Sequence, residues 1–367
     1  RDWSSDVCSS DLRELAVAMR FKPTFGPLVH LEYSMTRSSE SSLPAIYVSS
    51  SRFERKHLEE ALPVNGAITI VCNESGKRLS EDELIATKPA NCVGIIARLE
   101  PLSARVLNHY RELKVISRLG TGMDSVDLEA ARKHGVSVFG TPDATTDAVA
   151  ELTLGLMLAS LRGIAASDRN MHSKKWSQVM GGLIKGRTVG IVGFGHIGAE
   201  VAKRARAFGC RVVATRRSFG AGGGDPLLDA AYAPSEVRRM LAESDYVVLS
   251  SALTAETRGL IDAEALAAMK TTAVLINVSR GEVVDEDALA EALRIGTIAG
   301  AALDVAVREP LPSDHPLWAL DNIVITPHIS GRVADLYALA TEIFCDNLAR
   351  YRAGEALRNQ VDPARGY

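Results

Sequence analysis

Short apolar runs alternate with segments of helical periodicity along the chain from residue 45 onward. The apolar runs predict β-strands, and the segments in which apolar residues recur every three or four positions predict α-helices. Strands are expected at 45–50, 67–71, 92–97, 113–120 and 136–140, and then at 188–192, 245–251, 271–279, 297–305 and 322–327. Strands that alternate with helices in this way predict parallel sheets with helices packed on their faces.

The order of these elements predicts two domains, one of them split by the other. A long helical pattern at 146–168 separates the two groups of strands, and a final helix is expected at 332–354. We expect this final helix to pack back on the first group of strands. The chain is therefore predicted to be an α/β protein with two Rossmann-like parallel-sheet domains. The second domain, 144–329, is inserted into the first, which consists of 45–143 and 330–360.

Residues 1–44 stand apart from this pattern. The first twelve show neither helical nor strand periodicity, and from Asp2 to Leu12 they resemble the translated frame of a sequencing-library adapter. A genuine disordered tail is the alternative. We expect the segment to be an artefactual or disordered extension, with Met35 as a candidate start of the natural chain.

Composition narrows the classes of function that remain. The chain has 367 residues, a net charge of −3 and a pI near 6.3, which give no reason to expect a nucleic-acid or membrane partner. The most apolar helical run covers only 152–161. A membrane span needs about 20 residues, so this run predicts a buried helix. The five cysteines lack the spacing of a metal site or a disulfide framework, which favours a reduced, cytoplasmic protein without a bound metal.

A glycine motif opens the second domain. Gly193, Gly195 and Gly198 follow an apolar strand and stand at the start of a helical pattern. In this context G-x-G-x-x-G indicates a dinucleotide site, because the glycines permit a tight turn, close approach of a pyrophosphate and close packing of helix on strand. Free amides at the helix start, around His196 and Ile197, are expected to face the phosphates. A plain strand–turn–helix is the alternative, in which glycines at these three positions have no use.

The next strand of this domain ends in an arginine pair. The acid that binds the ribose hydroxyls of NAD lies about 20 residues after the glycine motif. Arg216 stands there, 18 residues after Gly198, and Arg217 and Ser218 follow it. A guanidinium cannot accept a hydrogen bond from a ribose 2′-hydroxyl, but it can hold a 2′-phosphate through two charged hydrogen bonds. The sequence therefore favours NADP over NAD, and a solvated arginine pair at a strand end is the alternative.

Three polar side chains follow three later strands. Arg280 comes two residues after Val278, Glu309 lies in the loop after Asp304, and His328 follows the last strand. Ligands bind beyond the carboxyl ends of strands in an open parallel sheet, so these side chains are expected at one crevice. The set suits hydride transfer to a 2-oxo acid, in which the arginine binds the carboxylate, the histidine gives the proton and the glutamate holds the histidine. Taken singly, each has an ordinary alternative: a salt bridge at a helix start, an exposed loop acid and a core histidine.

From about residue 45 to the end, the chain resembles the family of D-isomer-specific 2-hydroxyacid dehydrogenases. The segments that carry the resemblance are LKVISRLGTGMDSVDLEAARKHGVSV, TPDATTDAVAELTLGLMLA, GIVGFGHIG, LINVSRGEVVDEDAL, AALDVAVREPLP and ITPHISG. The resemblance implies that Arg280, Glu309 and His328 are catalytic. It also implies that Asp304 contacts the nicotinamide carboxamide, and Val278 is counted as a further cofactor contact.

The resemblance further implies how the substrate and a second copy of the chain are bound. Backbone in two loops of the first domain is expected to hold the substrate carboxylate, at Arg98 and Leu99 and at Gly120, Thr121 and Gly122. The segment around Trp176 is expected to form the arm of a homodimer. Two departures bear on the cofactor pocket and substrate choice: Ala306 and Val307 replace an aromatic, and Ser250-Ser251-Ala252 replaces an H-x-P motif.

Together, the arginine pair and the resemblance predict an NADP-preferring oxidoreductase that acts on a small D-2-hydroxy acid or 2-oxo acid. Its predicted activity is similar to that of a glyoxylate/hydroxypyruvate reductase. An enzyme similar to phosphoglycerate dehydrogenase is the alternative within the class. A nucleotide-sensing corepressor is the alternative from another class, because some relatives of that kind keep the same catalytic residues. Turnover on a panel of 2-oxo acids separates these functions.

Overall fold

The structure is a computed structural model that describes residues 43–51, 53–62, 68–217 and 224–363. Its strands form two sheets in which all paired neighbours run parallel. The two sheets confirm the predicted α/β class with two parallel-sheet domains. The predicted N-terminal extension falls almost wholly on residues 1–42, outside the described residues.

The first sheet has five strands and the second has seven. The first contains β1 (Ala45–Val48), β2 (Thr69–Cys72), β3 (Cys92–Ala97), β4 (Val115–Arg118) and β5 (Ser137–Gly140), in the order β2-β1-β3-β4-β5. The second contains β6 (Thr188–Val192), β7 (Arg211–Thr215), β8 (Ala230–Tyr232), β9 (Tyr246–Leu249), β10 (Val274–Asn277), β11 (Gly300–Leu303) and β12 (Ile323–Ile325), in the order β12-β11-β10-β9-β6-β7-β8. In the second sheet the strand order reverses beside β6, and this reversal is where a doubly wound sheet binds its ligand.

Helices flank both sheets. The helices of the first domain are α1 (Arg55–Ala61), α2 (Glu81–Ala86), α3 (Ala104–Leu107) and α4 (Leu128–Lys133). Those that follow are α5 (Pro142–Leu161), α6 (Ile164–His172), α7 (His196–Ala207), α8 (Val237–Glu243), α9 (Ala263–Ala268), α10 (Glu286–Ile295) and α11 (Leu336–Ala353). Short 3₁₀ turns lie at Pro234–Glu236, Gly281–Val283 and Pro316–Ala319.

The predicted strands are present, and their centres are where the apolar runs placed them. The expected strand at 92–97 has those bounds, whereas the one expected at 271–279 is limited to Val274–Asn277. Strands buried on both faces must be apolar throughout, which is why their centres are readable. The short strand β8 was not predicted, because its three residues are only partly buried and carry little periodic signal.

The helix expected at 146–168 is two helices. Gly163 lies between them in the left-handed region, with a φ of +59°, and this conformation ends one helix and begins the next. The first of the two, α5, is long and apolar enough to cross a membrane by length and composition. Its buried residues pack against the second sheet in the interior of the protein, as the sequence predicted: Val149, Ala150, Leu154, Leu156 and Met157.

The last helix returns to the first domain, as predicted. In α11, Ala340, Ile343 and Phe344 are buried among the strands of the first sheet. The ring of Phe344 lies 6.4 Å from that of Phe139 on β5. The chain therefore leaves the first sheet after β5, forms the whole second sheet and then comes back, so one domain is inserted into the other.

Candidate active site

The glycine motif lies at the carboxyl end of β6, at the start of α7. Gly193 has a φ of +95°, and a Cβ added to it would lie 2.6 Å from the backbone nitrogen of Ser251. A Cβ on Gly198 would overlap the carbonyl oxygen of Gly193. A Cβ on Gly195, in contrast, would meet no described protein atom within 4 Å. The first and third glycines are thus needed for packing, and the second leaves open space beside the helix start.

The residues that follow the motif form the first turn of α7. His196 is exposed and Ile197 is half-buried, and no acidic side chain lies in that first turn. The free amides of a helix start carry partial positive charge, and the missing acid leaves that charge uncompensated. The arrangement can therefore hold the pyrophosphate of a dinucleotide.

The predicted arginine pair lies at the neighbouring strand end. Arg216 follows β7, and its guanidinium carbon lies 6.0 Å from the centre of the Phe194 ring in the glycine loop. Both arginines are exposed at this edge of the sheet. The hydroxyl of Thr254 lowers the pKa of Glu256, and Arg217 contributes to that shift, so Arg217 has an acid near it. The third residue of the predicted set, Ser218, lies outside the described residues.

The serines that replace the H-x-P motif lie against the glycine loop. The hydroxyl of Ser250 donates to the carbonyl oxygen of Gly193 over 2.8 Å. The buried hydroxyl of Ser251 has no partner among the described residues. Val278 is buried directly after β10, two residues before Arg280.

Arg280 follows β10 and crosses to the first domain. Its Nε donates to Oδ1 of Asp124 over 2.8 Å, and its Nη1 donates to the carbonyl oxygen of Ser279 over 2.7 Å. The side chain of Arg280 is 18% exposed and that of Asp124 is 31% exposed, so their ion pair is only partly shielded from water. Burial opposes ionisation of Asp124, but Arg280 and Arg118 outweigh it and lower the pKa of that carboxyl. Asp124 therefore keeps the guanidinium oriented at the domain boundary.

Glu309 and His328 form a pair in the same cleft. Nδ1 of His328 lies 2.7 Å from Oε2 of Glu309, and the amide of Ala306 donates to the other carboxylate oxygen. Burial alone would raise the pKa of Glu309, but the hydrogen bond and charge of His328 lower it overall. With Nδ1 engaged by the carboxylate, Nε2 of His328 is the nitrogen left for a ligand.

The loop that carries His328 is fixed by Asp304. Its fully buried carboxylate accepts hydrogen bonds from the hydroxyl of Thr326 and from the amides of Ile329 and Ser330, over 2.6, 2.9 and 2.8 Å. Its backbone carbonyl accepts from the amide of His328 over 2.8 Å. His328 has a φ of +53°, an uncommon value for a residue other than glycine. Asp304 thus holds this backbone in place, while its predicted contact with a carboxamide stays a prediction.

The predicted carboxylate-binding loops border the same region. Leu99 lines a cavity of about 660 Å³ together with Arg280, Glu309 and His328. The backbone amide of Arg98 donates a hydrogen bond to the carboxylate of the buried Glu100 over 2.6 Å. In the second loop, the backbone amide of Gly120 donates to the hydroxyl oxygen of Thr141 over 2.8 Å. The amides of Thr121 and Gly122 donate to no acceptor in the described part of the chain.

Gly122 lies directly against Arg280. A Cβ there would overlap the guanidinium of Arg280, so a side chain at this position would displace the arginine. The turn at Gly120–Gly122 and the arginine are therefore packed directly against each other, although they come from different domains. This contact joins the predicted carboxylate loop to the predicted catalytic arginine.

Two residues of this region were not identified from the sequence. Asp124 follows the Gly120–Gly122 turn, and a carboxylate just beyond a strand end was a signal for it. Arg118 ends the apolar strand β4, and a charge inside an apolar run was its signal. Arg118 is 3% exposed, and burial, reinforced by Arg280, lowers its pKa to about 9.

Comparisons with known proteins agree with this geometry. Residues 154–330 match the family model described as D-isomer specific 2-hydroxyacid dehydrogenase, NAD binding domain. The chain is 36% identical over 291 residues to a glyoxylate reductase of Korarchaeum cryptofilum, covering 76% of this chain and 86% of that protein. It is 35% identical over 293 residues to a D-3-phosphoglycerate dehydrogenase of Methanocaldococcus jannaschii, covering 77% of this chain and 54% of that protein.

A solved structure supports the same relationship. The fold is similar to that of an NADPH-dependent glyoxylate/hydroxypyruvate reductase from Sinorhizobium meliloti in complex with NADP and malonate. The TM-score is 0.75 and the identity 28%, with coverage of 88% of this chain and 98% of that one.

Proposed function

The chain belongs to the family of D-isomer-specific 2-hydroxyacid dehydrogenases and is an NAD(P)-dependent oxidoreductase, and from this premise we propose its reaction. It interconverts a small D-2-hydroxy acid and its 2-oxo acid, prefers NADP, and is of the glyoxylate/hydroxypyruvate reductase type. The observation that carries the proposal is a single cavity lined by Arg280, Glu309 and His328. A carboxylate binder and a paired acid–base residue in one cavity suit a 2-oxo acid.

The fit of the cofactor is supported by the glycine loop. Gly195 leaves open space at a helix start where any side chain would stand. A nicotinamide dinucleotide bound there would be held by the amides of the first turn of α7, and it supplies the hydride when bound. Arg216 and Arg217 at the end of β7 would hold the 2′-phosphate of NADP. Their exposure and the absence of an acid at position 216 support that preference.

Arg280 binds and polarises the substrate. A guanidinium offers five donors, and Arg280 commits Nε to Asp124 and Nη1 to Ser279. Nη2 is left for the carboxylate and the carbonyl oxygen of a 2-oxo acid. Asp124 partly neutralises the arginine. The amides of Thr121 and Gly122, which donate to no acceptor in the described part of the chain, therefore also hold the carboxylate.

His328 gives the proton to the carbonyl oxygen during reduction. Glu309 engages Nδ1, so the proton is delivered from Nε2. The carboxylate also stabilises the imidazolium form that carries this proton. In the oxidative direction the same nitrogen takes the proton back from the hydroxyl of the 2-hydroxy acid.

A phosphoglycerate dehydrogenase-like activity is the second candidate, favoured by the 35% identity to the enzyme of Methanocaldococcus jannaschii. The purified chain is to be assayed with glyoxylate, hydroxypyruvate and 3-phosphohydroxypyruvate, each with NADPH and with NADH. We expect the highest kcat/KM for one of the first two with NADPH. A higher value for the phosphorylated acid would establish the second candidate, and a higher value with NADH would overturn the cofactor preference. Cofactor binding without reduction of any 2-oxo acid would overturn the reaction itself.

We also propose that the protein is a homodimer. The segment between α6 and β6 exposes Trp176, Met180 and Leu183 at 84%, 96% and 73%. Large apolar side chains that stand this far out of the chain mark a surface that another molecule covers. Light scattering should give about twice the 39.3 kDa of the chain; a mass of one chain would overturn the dimer.

A cytoplasmic location is likewise proposed, supported by the free thiols of Cys72, Cys92, Cys210 and Cys345.

A further inference from the structure

A buried arginine lies beneath the turn at Gly120–Gly122. Arg118 is 3% exposed at the end of β4. Its Nη1 donates to the carbonyl oxygen of Leu119, and its Nε has no partner among the described residues. No carboxylate of the described chain lies within 4.0 Å of its guanidinium. A buried charge with no ion-pair partner in contact is costly, even where acids such as Asp124 and Glu100 lie within electrostatic reach, so a guanidinium in this place requires a reason.

The turn lies between two guanidiniums. A Cβ added to Gly120 would lie 3.1 Å from Nη1 of Arg118, and one added to Gly122 would overlap Arg280. Between them, the amides of Thr121 and Gly122 remain free of acceptors in the described chain. Successive free amides beside positive charge form a concavity that favours an anion.

Two arginines and two acids have the largest effect, after burial, on the charge of Arg118: Arg280, Asp124, Arg98 and Glu100. Asp124 is already paired with Arg280, and a carboxylate oxygen of Glu100 accepts from the amide of Arg98. Among the described residues neither acid contacts the guanidinium of Arg118, so its positive charge favours an anion at the Gly120–Gly122 turn.

We propose that Arg118 is a positioning residue for the substrate carboxylate, an inference that rests on the proposed function. It acts through the backbone: its hydrogen bond to Leu119 holds the turn, and its unpaired charge makes that turn attractive to an anion. Arg118 is too deeply buried to be the first group that the substrate meets, which distinguishes its role from that of Arg280. Arg118 thereby favours a negatively charged 2-oxo acid over an uncharged compound with the same reacting carbonyl.

The test compares an acid with its uncharged analogue. The variants Arg118→Met and Arg118→Lys are assayed with the best 2-oxo acid of the panel and with its methyl ester. We expect Arg118→Met to raise KM for the acid about 10- to 100-fold, the range for loss of a charged interaction, with kcat changed less than fivefold. The ester should be used equally well by both forms. Arg118→Lys should recover most of the affinity for the acid.

The control is Arg105→Met, which removes an exposed arginine of α3 that pairs with Glu81 and Asp82. It should leave KM for the acid unchanged. Equal losses for acid and ester in Arg118→Met, without recovery in Arg118→Lys, would show a merely structural role and overturn the inference. If Arg118→Met does not fold, Arg118→Lys and Arg118→Gln give the same comparison.

A binding measurement separates this inference from the proposed reaction. Titration calorimetry with oxalate, in the presence of NADP, requires no turnover. Oxalate should bind the wild type at least tenfold more tightly than Arg118→Met. Equal oxalate binding by the two proteins would overturn the role of Arg118 even if 2-oxo acids are reduced. Weakened oxalate binding without reduction of any 2-oxo acid would uphold Arg118 while the proposed reaction fails.

Discussion

Replacing Asp304 by asparagine is expected to loosen the loop that carries His328 and to lower both stability and turnover. The Asp304 carboxylate is fully buried and receives hydrogen bonds from Thr326, Ile329 and Ser330. All three partners are donors, so only a side chain with acceptors on both branches satisfies them. An asparagine of the same shape keeps one oxygen and turns an NH₂ group toward one of the donors.

The magnitude follows from these three contacts. A hydrogen bond to a charged group contributes about 1.5–3 kcal/mol, and a buried donor left unpaired costs about 1–3 kcal/mol. Asp304→Asn weakens two bonds and breaks the third, so we expect the free energy of unfolding to fall by about 2–4 kcal/mol. For domains of this size the Tm should drop by roughly 4–16 °C. Because the loop positions His328, kcat should fall on the order of 10- to 100-fold.

The assay is thermal unfolding together with steady-state kinetics for substrate and cofactor. Thr326→Val is the matched variant, because it removes one donor to Asp304 and leaves the carboxylate in place. Its loss should be smaller, about 1.5 kcal/mol, because one bond to the carboxylate is lost and no buried donor is left unpaired. If Asp304→Asn keeps its Tm and kcat but raises KM for NADPH, the loop argument is refuted. The residue would then act mainly at the nicotinamide carboxamide.

Other parts of the site give further expectations. Arg280→Ala should lose about 30- to 1000-fold in kcat/KM for the 2-oxo acid with little change in cofactor affinity, and near-normal turnover at low substrate would exclude its role. His328→Ala should be nearly inactive, whereas Glu309→Gln should retain weak activity with its optimum for reduction at lower pH, because the amide no longer stabilises the imidazolium. In the wild type the lowered pKa of Glu309 keeps this carboxylate ionised, and able to accept from Nδ1 of His328, until the pH falls below the ordinary range of a carboxyl. Arg216→Asp should reverse the ratio of kcat/KM for NADPH to that for NADH, since a bidentate phosphate contact at an exposed site contributes about 1–3 kcal/mol; a wild type that favours NADH would contradict this. Deletion of 1–34, which lacks the apolar periodicity of the strands, should leave Tm and kcat unchanged, and a large fall in Tm would show that it packs on the core.

The sequence by itself determined the two parallel sheets. Strands covered by helices on both faces are apolar along their length, so runs such as 92–97 are visible without any structure. Their ends are less visible, because apolar residues continue into the loops, as in the run 271–279 around β10. The break at Gly163 was hidden for a related reason: helical periodicity continues on both sides of it, while its left-handed backbone leaves no periodic trace.

The sequence also determined which residues of the second sheet are expected at one crevice. Arg280, Glu309 and His328 follow parallel strands, and the carboxyl ends of parallel strands share one edge. Only the tertiary structure decided what they meet there. Asp124 lies 156 residues before Arg280, yet the two side chains form an ion pair across the domain boundary. Such a contact depends on how two finished domains pack, and packing between domains has no periodicity that a sequence can display.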